Sequence, residues 1–142
     1  MKLFTLLILT FMAVMHMDLS AVNASQIQTS ITGLQYEDTV VGTGPKSKKG
    51  DTVEVHYTGW IYKNGVKGAQ FDSSLPRDET FSFKVGGHMV IQGWEEGLVG
   101  MQVGGKRTLI IPPNLGYGSR GAGRSIPPDS TLLFEVELIK IN

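Results

Sequence analysis

The sequence predicts an α+β domain in which about five antiparallel strands wrap around one short helix. Most of the chain alternates apolar and polar residues, which is typical of strands with one buried face, and glycine-rich turns separate these segments. Residues 88–101 differ, because Ile91, Trp94, Leu98 and Met101 recur there at helical spacing. A sheet of this kind cannot leave its apolar face in water, so the helix is expected to lie across it.

The first half of the domain contains several strand-like segments. Residues 33–41 form the first of them, and residues 51–58 alternate so that every second side chain, including that of Tyr57, shares one face. Asn64-Gly65 then separates two apolar segments, and this dipeptide is a strong signal for a hairpin turn. We therefore expect a hairpin whose second strand reaches residue 71.

The second half continues the same pattern on both sides of the helix. Residues 81–85 alternate, residues 106–111 form a strand that two prolines end, and residues 131–141 form the last strand. Residues 114–129 make the longest irregular stretch, with four glycines between positions 116 and 123. A loop of this length in a small domain is expected to be functional or mobile.

The first 24 residues differ from the rest of the chain. Lys2 precedes an apolar run of about the length of a signal-peptide core, and Val22-Asn23-Ala24 supplies small residues for cleavage. The run is shorter than the roughly 20 residues of a spanning helix, although an uncleaved anchor or a buried helix are the alternatives. We therefore expect a signal peptide at residues 1–24, a mobile segment at residues 25–32 and the domain at residues 33–142.

Charge and composition exclude some classes of partner and indicate where the protein acts. The formal net charge is zero and no basic cluster is interleaved with aromatics, so a nucleic-acid partner is not expected. The absence of cysteine leaves an exported domain to be held by its core alone. The expected location is the periplasm or the extracellular medium, with no stable membrane insertion after cleavage. A monomer is expected.

Two motif matches fail on their context. Residues 116–121 fit the glycine pattern of dinucleotide-binding loops, but they follow two prolines and an asparagine and no βαβ unit surrounds them. Residues 100–106 fit most of a phosphate-binding loop, yet Arg107 replaces the hydroxyl residue and a strand follows. Outside the leader the only histidines are His56 and His88, and no carboxylate stands at ligand spacing from them. His56 is expected to point outward or to the domain rim. We expect no cofactor and no metal.

Six motifs in order resemble those of the FKBP-type peptidyl-prolyl cis-trans isomerases. They are Val55-His56-Tyr57-Thr58-Gly59, Phe71-Asp72-Ser73-Ser74, Val90-Ile91-Gln92-Gly93-Trp94-Glu95-Glu96-Gly97, Gly116-Tyr117-Gly118, Ile126-Pro127-Pro128 and Leu133-Phe134-Glu135-Val136-Glu137-Leu138. The resemblance covers residues 33–142 and implies a half-barrel sheet around the helix. The leader and residues 33–36 resemble the bacterial exported single-domain members.

The resemblance also implies a substrate pocket. It places Trp94 on the pocket floor, Val90 and Ile91 on the wall before it, and the Tyr117 hydroxyl as a donor to a ligand carbonyl. Each of these side chains has an ordinary alternative role, in the core for the aromatics and in a turn for Asp72. The implied catalytic residues are Tyr57, Phe71, Asp72, Trp94 and Tyr117. The implied substrate-binding residues are Phe81, Val90, Ile91, Ile126 and Phe134.

Two departures from the family pattern concern the pocket surroundings. Ala122 stands where the family often has a histidine, and Arg120 and Arg124 flank it. The segment before Phe71 is about four residues longer than in compact members, around residues 66–70. The first change could alter which chain segments are preferred beside the proline, and the second could reshape the edge strand next to the pocket.

The function expected from the resemblance is rotamase activity on X-Pro bonds of exported proteins during folding. An apolar pocket can act without nucleophile, metal or cofactor, so the missing cysteine and the failed motifs agree with this mechanism. The alternative is a module that binds proline-containing segments or a partner without turnover. The expected partners are proline-containing polypeptides, and macrolide inhibitors such as rapamycin are expected ligands of the same pocket.

Overall fold

The computed structural model describes residues 26–142 of the 142-residue chain. The predicted signal peptide and its cleavage point lie outside these residues. Over residues 26–142, no helix is long and apolar enough to cross a membrane.

A single antiparallel sheet forms the framework of the domain. Its order is β1-β2-β6-β7-β3-β4, and β5 pairs with β3 alongside this path. Besides the sheet, residues 26–142 contain one α-helix and three short 3₁₀ turns. The strands are β1 (Gln28–Thr29), β2 (Gln35–Val40), β3 (Thr52–Lys63), β4 (Val66–Ser73), β5 (Phe81–Lys84), β6 (Lys106–Ile111) and β7 (Thr131–Ile141), and the helix is α1 (Gln92–Gly97).

Strand β3 is the centre of this sheet. It pairs with β7 along nearly its whole length, while β5 and β4 divide its other edge between them. The alternation seen in the sequence is therefore real: Val53, Val55 and Tyr57 are buried on the face that α1 covers. His56 lies on the opposite face, with Glu137 as its register partner on β7.

Two glycines let α1 lie directly against β6. A Cβ atom added to Gly93 would lie 2.6 Å from the Ile111 side chain, and one added to Gly97 would lie 2.7 Å from Leu109. These separations are shorter than any normal carbon contact, so only glycine fits at either position. Glycine in a helix costs roughly 1 kcal/mol relative to alanine. Close packing of the helix on the sheet is what offsets that cost.

Arg107 hydrogen-bonds to the carbonyls at the C-terminal end of the same helix. Its side chain is buried, Nη1 donates to the carbonyls of Gly97 and Val99, and Nε and Nη2 donate to both carboxylate oxygens of Asp38. A cation at these carbonyls also opposes the negative end of the helix dipole. The arginine that breaks the phosphate-loop pattern is therefore the residue that joins α1, β6 and β2.

The strand count differs from the expected five. The hairpin strand and residues 81–84 both belong to the same sheet, and β1 is a two-residue strand that pairs with β2. Strand β1 falls within residues 25–32, which were expected to be mobile. Its two residues are polar and exposed, so no alternation in the sequence predicts this strand. It is held by backbone pairing with β2 and by a hydrogen bond from the Tyr36 hydroxyl to Oε1 of Gln28.

Candidate functional site

A cavity of about 570 Å³ opens between the sheet, the start of α1 and the loops around them. All ten residues that the sequence singled out line it, and four further residues contribute to its wall. Those four are His88, Met89, Ala122 and Ser125. The sequence motifs, which are far apart along the chain, therefore meet at one site.

Trp94 forms the floor of this cavity. It is the third residue of α1 and is 5 % exposed. Its ring packs edge-to-face against Tyr57, Phe134 and Phe81, with centroid separations of 5.0, 5.2 and 5.9 Å. Edge-to-face pairs at these distances are favourable beyond the area they bury, so the aromatic set holds a fixed shape.

The walls come from the sheet and from the chain entering the helix. Phe71 on β4 packs at 84° against Phe134 on β7, with 5.4 Å between the centroids. Val90 and Ile91 immediately precede α1, and the Ile91 carbonyl accepts the backbone N–H groups of Trp94 and Glu95. Phe81 is 39 % exposed and Phe134 is 3 % exposed. Phe81 is thus a rim residue, whereas Phe134 serves the core and the pocket together.

One edge of the cavity is polar. The Tyr57 hydroxyl donates to Oδ2 of Asp72, and the Ser73 backbone N–H donates to Oδ1 of the same carboxylate at 2.9 Å. Arg77 adds Nη1 to Oδ1 of Asp72 at 3.3 Å and Nη2 to the tyrosine hydroxyl at 3.4 Å. Burial raises the pKa of Tyr57 above its ordinary value, and the hydrogen bond to Asp72 raises it further. The hydroxyl is therefore held as a protonated donor.

Arg77 was not anticipated from the sequence. It lies in the 3₁₀ turn Leu75–Arg77 that follows β4, and it is more than half exposed. Neither periodicity nor a local motif distinguishes it from the neighbouring charged residues. Only the turn, which brings residue 77 back over residue 72, reveals the contact.

The long loop closes the cavity from above. Ala122 and Ile126 pair through two backbone hydrogen bonds, of 2.9 and 3.1 Å, and Ile126 is buried at the pocket. Gly121 has φ +64°, and a Cβ there would lie 2.2 Å from the Ile126 carbonyl oxygen, so this close turn requires glycine. Tyr117 is 40 % exposed on the loop. Burial raises its pKa, with the charge of Asp72 as the second cause.

The lining of this site is mainly apolar. It offers aromatic and aliphatic surface, with two phenol hydroxyls, one carboxylate, the hydroxyl of Ser125 and the imidazole of His88 as its polar groups. Within residues 26–142 no three histidine, aspartate or glutamate side chains are grouped so that they could hold a metal ion. A rigid apolar cavity with a polar edge is suited to bind a compact ring and to fix an adjoining carbonyl.

A sheet that encloses one short helix, with an aromatic cavity at the start of that helix, defines the class of FK506-binding isomerase domains. The family model for FKBP-type peptidyl-prolyl cis-trans isomerase matches residues 44–139. The chain belongs to this family, and it is a peptidyl-prolyl cis-trans isomerase.

Individual relatives agree with this assignment. The chain is 44 % identical over 142 residues to FK506-binding protein 2 of Dictyostelium discoideum, covering all of both chains. It is 51 % identical over 109 residues to the FK506-binding protein of Neisseria meningitidis serogroup B, covering 77 % of this chain and 96 % of that one. It spans 65 % of FK506-binding protein 2B of Rhizopus delemar, at 46 % identity over 138 residues and 89 % of this chain.

The fold comparison is equally direct. The crystal structure of AtFKBP13 superposes with a TM-score of 0.73 and 41 % identity, covering 83 % of this chain and 100 % of that chain. The α+β prediction with one helix on an antiparallel sheet is therefore confirmed.

Proposed function

We propose that the cavity around Trp94 is the catalytic centre, and that it accelerates X-Pro rotation without a covalent step. The observation that carries this proposal is the joining of the aromatic floor to the fixed Tyr57–Asp72 pair in one cavity. The proline ring would lie on Trp94, between Tyr57, Phe81 and Phe134. Phe71, Val90, Ile91 and Ile126 would complete the apolar wall.

The rate enhancement follows from the electronic change in the amide. The planar bond is charge-separated and resists rotation by about 18–20 kcal/mol. A twisted X-Pro bond has lost this resonance and is less polar, so an apolar cavity disfavours the planar form more than the twisted one. Only such differential binding raises a rate. Uncatalysed exchange takes tens to hundreds of seconds, so each X-Pro bond in the non-native isomer delays folding.

The polar groups would orient the substrate. We assign to the Tyr117 hydroxyl the role of donor to the carbonyl beside the proline, because burial keeps it protonated and it stands on the closing loop. A fixed donor holds one side of the bond while the proline ring turns. Asp72 and Arg77 would hold the Tyr57 ring in place from the edge of the cavity.

A matched pair of tyrosine variants tests these assignments. Cis/trans exchange of a blocked Leu-Pro peptide is measured by NMR with the wild type, with Tyr117→Phe and with Tyr62→Phe, a strand tyrosine away from the cavity. Loss of one hydrogen bond of about 0.5–1.5 kcal/mol should lower kcat/KM roughly two- to tenfold in Tyr117→Phe alone. Equal rates for the three proteins would contradict the role of Tyr117.

We also propose that the enzyme is a monomeric, bacterial exported single-domain type, acting on exported proteins in the periplasm or outside the cell. The support is the leader at residues 1–24 and its small residues before Ser25. Relatives from Neisseria and from Dictyostelium are both similar, so their similarity supports the domain rather than the source. Cell fractionation followed by N-terminal sequencing should find the chain beginning at Ser25; a chain retaining its leader would contradict export with cleavage.

Macrolides such as rapamycin are proposed ligands of the same cavity. The relatives are named for FK506 binding, and the cavity offers the aromatic floor and the loop hydroxyl that a carbonyl-bearing ring needs. Rapamycin should compete with the peptide in the exchange assay. If the protein catalysed peptide exchange but rapamycin did not compete, the loop around Ala122 would account for the lost macrolide binding.

A further inference from the structure

We propose that His56, on the outer face of the sheet, is a positioning residue that acts on the catalytic Tyr57 through the buried hydroxyl of Ser74. When its ring is neutral with the proton on Nε2, Nδ1 accepts a hydrogen bond from the serine hydroxyl, and the arrangement around Tyr57 is the one described above. When its ring is charged it reverses that hydrogen bond. This inference rests on the proposed catalytic role of Tyr57 and Asp72.

Ser74 is the junction of this link. It is fully buried at the end of β4, and its Oγ lies 2.9 Å from Nδ1 of His56. The Tyr57 backbone N–H donates to the same Oγ at 2.8 Å, and the Ser74 N–H donates to the Tyr57 carbonyl at 2.9 Å. The backbone of Tyr57 is therefore held on both sides by one residue.

The side chain of Tyr57 is tied to the same segment. Its hydroxyl donates to Asp72, and Asp72 accepts the backbone N–H of Ser73. The hydroxyl of Ser73 in turn lies 2.9 Å from that of Thr58 on β3. A change in the position of Ser74 thus reaches the backbone of Tyr57 directly, and it reaches Asp72, the partner of the Tyr57 hydroxyl, through Ser73.

The charge of His56 determines which acceptor receives the hydroxyl proton of Ser74. Ser74 has one hydroxyl proton and already accepts from the Tyr57 N–H. With Nδ1 of His56 unprotonated, that proton goes to Nδ1 at 2.9 Å. An imidazolium has no acceptor, so it must donate to Oγ, and the serine proton is left with the Tyr57 carbonyl, 3.3 Å away. Shortening this bond to the usual O–H···O distance of about 2.7–2.8 Å would draw Ser74 and the Tyr57 carbonyl closer together.

Solvent reaches His56 from the outer face of the sheet. It is half-buried and lines a second cavity, of about 270 Å³, on the outer face of the sheet. The charged groups facing it are Glu135 and Glu137 from β7, Lys106 from β6, and Glu54 on its own strand. Arg107 also lines this cavity, but its guanidinium points to the other face of the sheet, toward the carbonyls of Gly97 and Val99. Glu135 pairs with Lys67, Arg107 pairs with Asp38, and Glu54 accepts from Thr80 and Asn142. Glu137 is left as the register partner of both His56 and Lys106.

The test measures kcat/KM from pH 5 to 8, the range in which histidine ordinarily changes its charge, with a blocked peptide that has no titratable group. The wild type should gain about two- to fivefold between the ends of this range, the equivalent of part of one hydrogen bond. His56→Asn supplies a neutral acceptor near Nδ1, so it should keep the high value throughout. His88→Asn, which changes the histidine that lines the catalytic cavity, should keep the wild-type slope.

A second readout does not depend on turnover. In the full protein, the backbone amide shift of Tyr57 should follow the imidazole shifts of His56 with one shared midpoint, and Ser74→Ala should abolish this coupling. A Tyr57 amide that stays constant while His56 titrates would overturn the proposal. The proposal would also be overturned if His56→Asn kept the wild-type slope of kcat/KM against pH, or if His88→Asn lost that slope. Should Asp72 variants retain full turnover, the proposed catalytic pair fails, while the amide titration still decides whether the link exists.

Discussion

The hydroxyl of Tyr57 donates a hydrogen bond of 2.5 Å to Oδ2 of Asp72, and this bond joins the neighbouring strands β3 and β4 at the edge of the aromatic cavity. Tyr57 also packs edge-to-face on Trp94. One side chain therefore connects the polar edge of the site with its apolar floor, and a change on either side is transmitted to the other.

Asp72→Ala should lower kcat/KM by about tenfold. The substitution frees the Tyr57 hydroxyl and leaves Arg77 without its partner. A hydrogen bond to a charged group contributes about 1.5–3 kcal/mol, and the lower end applies because both charged partners are partly exposed. The measurement is peptide exchange by NMR. Glu79→Ala removes a nearby exposed carboxylate outside the cavity and should match the wild type; an Asp72→Ala enzyme of wild-type rate would remove Asp72 from the site.

Gly97→Ala should destabilise the fold by about 1–3 kcal/mol, as overpacked core positions do. Its Cβ would lie 2.7 Å from the Leu109 side chain, so α1 would be pushed off β6. Urea unfolding gives the free energy. Gln92→Ala, at the exposed start of the same helix, should stay within about 0.5 kcal/mol of the wild type.

The clash itself can be tested by a double substitution. The new Cβ would meet the two methyl groups of Leu109, and Leu109→Val shortens this side chain by one carbon, which draws the methyl groups back toward β6. The pair Gly97→Ala with Leu109→Val should therefore cost less than the sum of the single changes, with a coupling above about 0.5 kcal/mol. Strict additivity would mean that backbone preference, rather than contact with β6, requires the glycine.

Arg107→Leu should cost about 2–4 kcal/mol of unfolding free energy. It leaves Asp38 unpaired and removes the donors to the carbonyls of Gly97 and Val99. Removing one partner of a buried ion pair is expensive, and Asp38 being about one-third exposed moderates the cost. Lys106→Leu, the exposed neighbour on β6, provides the comparison. If Arg107→Leu lowered the unfolding free energy no more than Lys106→Leu does, the hydrogen bonds of Arg107 would not stabilise the fold.

The strands could be predicted because they follow from short-range pattern, whereas the site residues were identified from the resemblance of their motifs to those of the FKBP-type family. Alternation places Tyr57 and Phe134 on the buried face, and helical spacing places Trp94 at the start of α1. Their assembly around one cavity then follows from a sheet that covers a single helix. The catalytic and binding roles of these residues stay predictions.

Other features depend on contacts that no local pattern encodes. Arg77 reaches Asp72 only because a 3₁₀ turn folds back over β4. Strand β1 forms because its two polar residues pair with the free edge of β2. His56 has the alternation of an outward residue, and its bond to Ser74 depends on where β4 ends.

Alkaline pH should destabilise the wild type more than Tyr57→Phe. Burial first, and then the bond to Asp72, raises the pKa of Tyr57 in the folded state. A phenol whose folded pKa lies above its unfolded value of about 10 contributes stability that is fully present below pH 10. That contribution is lost as the pH rises from there through the folded pKa, because the unfolded chain releases its proton first. Urea unfolding between pH 9 and pH 11.5 measures the loss. The curves of the two proteins should run parallel from pH 7 to 9, before phenols titrate, and separate above pH 10; parallel curves over the whole range would show that Tyr57 does not hold its proton more tightly in the folded protein.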